Sequence, residues 1–217
     1  MIIKRKNMFK LIDKGVWKRK PYFDHYFNQI RCSYSITVNI DISKIIYFKN
    51  RNHTKLYPLL IYVLAKAVNN REEFRTAIND KGELGIWETL LPCYTVFHEE
   101  NESFSNIWTE WDDNLMTFLS NYERDIEMFG NNYGIDAKPN TPANTFPISS
   151  LPWTTFTGFI WIYLLMGAIC YLFLLMVNIF SKMVNTLFLF LFRFTMLFVM
   201  GFMSQDLSMK YSKYAMI

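Results

Sequence analysis

Side chains able to do proton-transfer or covalent chemistry are sparse in this sequence. Three imidazoles stand at His25, His53 and His98, and three thiols at Cys32, Cys93 and Cys170. The thiols show neither the close spacing of a metal site nor the even number of a disulfide framework, so a reducing compartment is expected. Ser149 lies in the stretch Phe146-Pro147-Ile148-Ser149-Ser150-Leu151-Pro152-Trp153. By residue type alone it is a strand serine satisfied by backbone, and Trp153 is a core tryptophan. Lys18-Arg19-Lys20 reads as a solvated basic turn, and Tyr26, Cys32 and Phe104 as packing residues.

The elements that must position these groups follow from periodicity. Pro21 suits a first helical turn, and Tyr22, Phe23, Tyr26 and Ile30 follow helical spacing. Residues 32–40 alternate, with Cys32, Tyr34, Ile36, Val38 and Ile40 on one face, which predicts a half-buried strand. Tyr57-Pro58 opens a helix with a stripe of Leu60, Val63, Leu64, Ala67 and Val68. Short strands are expected at 74–78, 84–87, 93–98 and 104–108. Asp112 and Asp113 then cap a helix whose inner face is Leu115, Phe118, Leu119, Tyr122, Ile126 and Phe129. Residues 130–147, rich in Asn, Pro and Gly, form a loop. The expected fold class is α/β, a two-layer mixed β-sheet with packed helices.

Composition divides the chain. Overall it is 51% hydrophobic and 18% aromatic, yet 159–217 carry only Lys182, Arg193, Asp206, Lys210 and Lys213 as charges. The rest is near neutral, giving no electrostatic reason to expect nucleic acid. Residues 159–180 contain no charge, and 183–203 form a second apolar run interrupted by Arg193. Taken literally, this tail predicts two helices arranged as a membrane hairpin. The basic segment at 1–6 is followed by no apolar run, so no secretory signal is expected there.

Residues 8–159 resemble the chloramphenicol acetyltransferase family. The matching signatures are Trp17-Lys18-Arg19-Lys20, Phe23-Asp24-His25-Tyr26, Cys32-Ser33-Tyr34-Ser35, Tyr57-Pro58, Glu73-Phe74-Arg75-Thr76-Ala77, Tyr94-Thr95-Val96-Phe97-His98, Thr109-Glu110 and Phe146 to Phe159. The resemblance implies a CoA-dependent acyltransferase fold and a cytoplasmic homotrimer with active sites between subunits. It implies acetyl transfer from acetyl-CoA to the 3-hydroxyl of chloramphenicol, hence antibiotic resistance, without a metal. It assigns Ser149 to stabilising the tetrahedral intermediate and Trp153 to the CoA site. Tyr26, Cys32 and Phe104 match the chloramphenicol pocket, and Arg19 the arginine that holds the catalytic loop by pairing with an Asp. His25 and His98 match positions with no base role, and Cys93 is core. The resemblance divides the chain into an extension (1–7), the acetyltransferase-like domain (8–159) and an apolar segment (160–217).

The family's general base is the second His of a His-His-x-x-x-Asp-Gly motif near the C-terminus, and this chain lacks it. The genetic code tests one explanation. If the tail is read out of frame, the neighbouring frame combines the third base of each codon with the first two of the next. Trp161 followed by Ile162 then forces Asp, and Met166-Gly167, Met183-Val184 and Met200-Gly201 each force Gly. Across residues 194–203 the same frame permits His-His-Ala-Val-Cys-Asp-Gly-Phe-His. Codons with a central T all encode apolar residues, which accounts for the tail's composition. The competing expectations are a genuine membrane anchor carrying a binding module, and an inactive fragment that cannot trimerise.

Overall fold

The computed structural model describes residues 8–30, 35–150, 172–177 and 186–192, the segments 35–39, 172–177 and 186–192 by their backbone. In chain order the elements are β1 (Phe9–Leu11), α1 (Lys20–Phe23), a π-helical segment (Asp24–Gln29), β2 (Ser35–Asp41), α2 (Ser43–Asn52) and α3 (Leu56–Asn69). There follow α4 (Glu72–Arg75), β3 (Thr76–Ile78), β4 (Leu84–Trp87), β5 (Leu91–His98), β6 (Ser103–Trp108), α5 (Leu115–Phe129), β7 (Thr145–Ser150), β8 (Leu172–Val177) and β9 (Thr186–Phe192).

The main sheet has six strands in the order β2-β9-β8-β7-β5-β6, and β1-β4-β3 form a small second sheet. The main sheet is mixed: β7 runs parallel to β5 and β8, while β5–β6, β8–β9 and β2–β9 are antiparallel. Helices α3 and α5 pack against it and against each other. The α/β reading with a mixed sheet and packed helices therefore holds.

Helix α3 is buried over most of its circumference, because Leu59, Ile61, Tyr62 and Ala65 are inside as well as the expected stripe residues Leu64 and Val68. A helix apolar all round belongs in an interior. Its last residue, Asn69, is wedged against the entry to β5. The Asn69 Oδ1 accepts from the Leu90 amide at 2.8 Å, and Nδ2 donates to the Leu90 carbonyl at 2.9 Å and the Ala65 carbonyl at 3.0 Å. One side chain thus takes the place of a strand partner for Leu90.

Three expectations are corrected. The cap of α5 is Asn114, whose Oδ1 accepts from the Met116 and Thr117 amides. Asp112 instead accepts from the Asn114 amide at 2.7 Å, which makes Asn114 the last non-helical residue. The strand expected at 74–78 begins only at Thr76, after the helical turn Glu72–Arg75. Thr76 Oγ1 closes that turn by donating to the Glu72 carbonyl at 2.8 Å, and Phe74 is buried in the core.

The third correction concerns the apolar tail, where helices were expected. Its described parts are strands of six and seven residues. Strands form there because β7 and β2 offer backbone donors and acceptors that need partners. Among the described residues no helix is long and apolar enough to cross a membrane.

Two substitutions test this account in urea unfolding. Asn69→Ala leaves both Leu90 backbone groups without a partner and is expected to cost about 1–3 kcal/mol. Asn114→Ala removes the α5 cap and is expected to cost about 1 kcal/mol.

Candidate functional site

Register sorts the residues of the main sheet onto two faces, because paired residues share a face and neighbours along a strand alternate. Tyr94 is in register with Ile107 on β6 and Ile148 on β7, and all three are buried beneath the helices. The residues between them face the other way. On that opposite face lie Cys93 with Trp108, Thr95 with Asn106, and Phe97 with Phe104. Pro147 is in register with Cys93, so Ser149, two residues further along β7, belongs to the same face. Ser149 is half-buried, and its backbone is in register with Leu174 of β8. Phe97 and Phe104 are 44% and 48% exposed, a directly opposed aromatic pair left largely open to solvent.

Two of the expected site residues, Ser149 and Phe104, are therefore on one sheet face, separated by β5. Two others share the segment that leads into β2. Tyr26 is half-buried in the π-helical stretch, with the His25 ring 4.8 Å away edge-on. Phe23 anchors this stretch by burial and by stacking on Phe27 at 4.9 Å. Single π-helical turns inside helices are rare and cluster at functional sites. Arg19 is half-buried at the start of α1, where its carbonyl accepts from the Phe23 amide, and its guanidinium forms no salt bridge among the described residues. Cys32 and Trp153 lie outside the described residues.

No imidazole among the described residues is aimed at Ser149. His98 is buried on the helical face, with Nε2 2.8 Å from Ser105 Oγ and its ring 4.7 Å from that of Tyr133. His25 is exposed and pairs through Nδ1 with Gln29 Oε1 at 2.9 Å. His53 is exposed at the left-handed C-cap of α2. Among the described residues no three His, Cys, Asp or Glu side chains cluster to hold a metal ion.

Behind the site face lies a polar chain that residue types alone did not announce. Tyr94 Oη is 2.9 Å from Thr109 Oγ1, which donates to Asp125 Oδ2 at 2.9 Å, and Asp125 Oδ1 is 2.9 Å from Lys138 Nζ. A threonine has one hydroxyl proton, so Tyr94 must be the donor to Thr109. The signal was present: Asp125 follows Phe118 and Tyr122 at the spacing of the buried face of α5. Burial raises the Tyr94 and Tyr57 phenols well above the ordinary range, and pushes Tyr122 up to about 12. On the site face, burial pushes the Cys93 thiol up to about 11, with Asp136 adding to it, so Cys93 stays a protonated, unreactive thiol. A cleft of about 180 Å³ between the small sheet and the start of β7 is walled by Phe74, Ile78, Trp87, Leu90, Phe146 and Pro147, and contains neither Ser149 nor Phe104.

This architecture and sequence are shared with known proteins. The sequence pattern of the family described as chloramphenicol acetyltransferase matches residues 7–192. A chloramphenicol acetyltransferase of Campylobacter coli is 51% identical over 151 residues, which cover 70% of this chain and 71% of that protein. One from Vibrio anguillarum is 48% identical over 151 residues, 70% of this chain and 68% of that protein. A solved chloramphenicol acetyltransferase superposes with a TM-score of 0.78 over 96% of this chain and 98% of its own, at 18% identity. The dihydrolipoamide acetyltransferase of Azotobacter vinelandii shares the fold more distantly, with a TM-score of 0.54 over 85% of this chain and 79% of its own, at 14% identity. The chain belongs to the chloramphenicol acetyltransferase family.

Proposed function

We propose that this chain carries the scaffold of an acetyl-CoA-dependent O-acetyltransferase that acetylates the 3-hydroxyl of chloramphenicol and so confers resistance. What carries this reading is the placement of Ser149 and Phe104 on one sheet face, in a chain about half identical to relatives named chloramphenicol acetyltransferase. Attack of a hydroxyl on a thioester builds negative charge on the former carbonyl oxygen. A donor already fixed in place stabilises that charge without reorganising. Ser149 fits the role, because its backbone is paired with Leu174 of β8 and directly follows Ile148, the last residue paired with β5. Phe104, with Tyr26 and Cys32, forms the apolar wall for the acceptor, and Trp153 flanks the CoA. Arg19 supports the loop that carries the base.

The acceptor hydroxyl must also lose its proton, and His is the usual base for that step. This chain has no histidine beyond His98, and His98 is turned to the other face and engaged by Ser105. The base therefore lies in text that this reading frame does not express. We infer that residues 160–217 are out of frame with the gene, and that the frame permitting His-His-Ala-Val-Cys-Asp-Gly supplies the imidazole and the Asp partner of Arg19. The Asp and Gly codons forced in the neighbouring frame, and the motif it permits, support a change of text within the sequence. The open Phe97–Phe104 pair supports a subunit interface on the site face, as in a trimer with shared active sites, since exposed aromatic patches mark such contacts. A cytoplasmic location fits the odd number of cysteines in the sequence.

Two measurements test the reading. Sequencing through codons 157–161 is expected to show one base difference that restores the frame, and the restored gene to confer chloramphenicol resistance. Confirmation of the present frame, together with acetyl transfer by this unaltered chain, would overturn the missing-base account. In the restored enzyme, Ser149→Ala is expected to lower kcat about 10²–10³-fold, the loss typical of one oxyanion donor. An unchanged kcat in steady-state assays would remove Ser149 from the chemistry.

A further inference from the structure

The free edge of the main sheet at β6 is partly closed by the segment that follows α5. The Asn106 amide donates to the Ile135 carbonyl at 2.8 Å, the Ala137 amide donates to the Asn106 carbonyl at 3.1 Å, and Asn106 and Asp136 form a parallel bridge. The next residue, Lys138, reaches around the end of this edge. Its Nζ is 2.9 Å from Asp125 Oδ1, donates to the Trp108 carbonyl at 2.9 Å and stands 3.7 Å from the centroid of the Trp108 ring. The Asp125 and Lys138 side chains are 3% and 10% exposed. Asp125 belongs to the helical layer, whereas Trp108 is in register with Cys93 on the face of Ser149 and Phe104. One ammonium joins the two faces around the sheet edge.

A buried ion pair adds little net stability, since an apolar pair of similar volume often serves as well or better. What Lys138 adds is direction. It has a carboxylate, a carbonyl and a ring face to satisfy at once, drawn from α5 and the end of β6. We propose that Lys138 is a positioning residue for the acceptor pocket. Through Asp125 and Trp108 it fastens residues 135–137 along β6, and so fixes the wall two residues from Phe104. This rests on the acetyltransferase reading above.

Lys138→Met alone leaves a bare buried carboxylate and is a poor test, because it can unfold the chain. The double variant Asp125→Leu/Lys138→Met removes both charges. In amide hydrogen exchange, Asn106 and Ala137 are expected to exchange at least tenfold faster in the double variant, with Tyr94 and Ile107 unchanged. By calorimetry on the frame-restored enzyme, the double variant is expected to bind chloramphenicol about tenfold more weakly while acetyl-CoA binding holds. Unaltered exchange at Asn106 and Ala137, or equal weakening of both ligands, overturns the proposal. A frame-restored parent that binds neither ligand counts against the acetyltransferase reading, and the exchange result then decides the clamp by itself.

Discussion

Tyr94 is the point at which the sheet, the helices and the polar interior of this protein meet. It is fully buried in the middle of β5, between Ile107 and Ile148 of the flanking strands. Its ring meets Tyr57 of α3 edge-on at 6.1 Å and Tyr122 of α5 at 5.1 Å, and its hydroxyl starts the chain through Thr109 and Asp125 to Lys138. A slip of one residue in β5 would carry Tyr94 to the outer face and bring Cys93 and Thr95 inside. Such a slip would leave Thr109 and Asp125 without the phenol between them and the core. The same register decides which residues face the site. Fixing Tyr94 inward fixes Phe97 outward, opposite Phe104.

The tail meets this frame through its backbone. β8 and β9 occupy the middle of the main sheet, between β7 and β2. A strand in that place has both backbone edges paired, and the sequences Leu172–Val177 and Thr186–Phe192 are apolar apart from Thr186. A frame rich in central-T codons yields such runs whatever it once encoded, so a strand can be placed there without the tail preserving any chemistry. Backbone pairing is indifferent to side-chain identity. Acid–base catalysis is not, so the presence of the fold does not by itself carry the activity.

The parts of the fold that were legible in the sequence had clean periods. The strands at 84–87 and 104–108 and the inner face of α5 came from alternation and 3.6-residue spacing alone. The short helix α2 has its charges scattered through it and one buried residue, Ile45, so no stripe announced it. β1 is three residues long and is defined by its pairing with β4, a partner some seventy-five residues away in sequence. Among site residues, Ser149 and Phe104 drew attention only through the family resemblance; their shared face required the register of three strands. Asp125 stands at the spacing of the buried face of α5, but its pairing with Lys138 was hidden for a different reason. Each is a charged residue of a kind ordinarily solvated, and only contact with the other makes burial tolerable. No local pattern reports a partner thirteen residues away across a loop.

The position of Ser149 makes the frame of the tail matter twice. An acyl transfer of this kind divides its needs between a donor for the oxyanion and a base for the attacking hydroxyl. The base would come from the tail itself, so a wrong frame deletes it outright. The proposed donor, Ser149, precedes the tail, yet its backbone is in register with Leu174, a residue of β8. If the tail is out of frame as proposed, the strand that borders Ser149 is written in the same text as the missing imidazole. Restoring a histidine by substitution within the present tail would return one half of the machinery only. On the proposed frame, β8 would still be spelled by the other reading, so recovery of full activity would require the whole segment to be read in register, not one residue repaired.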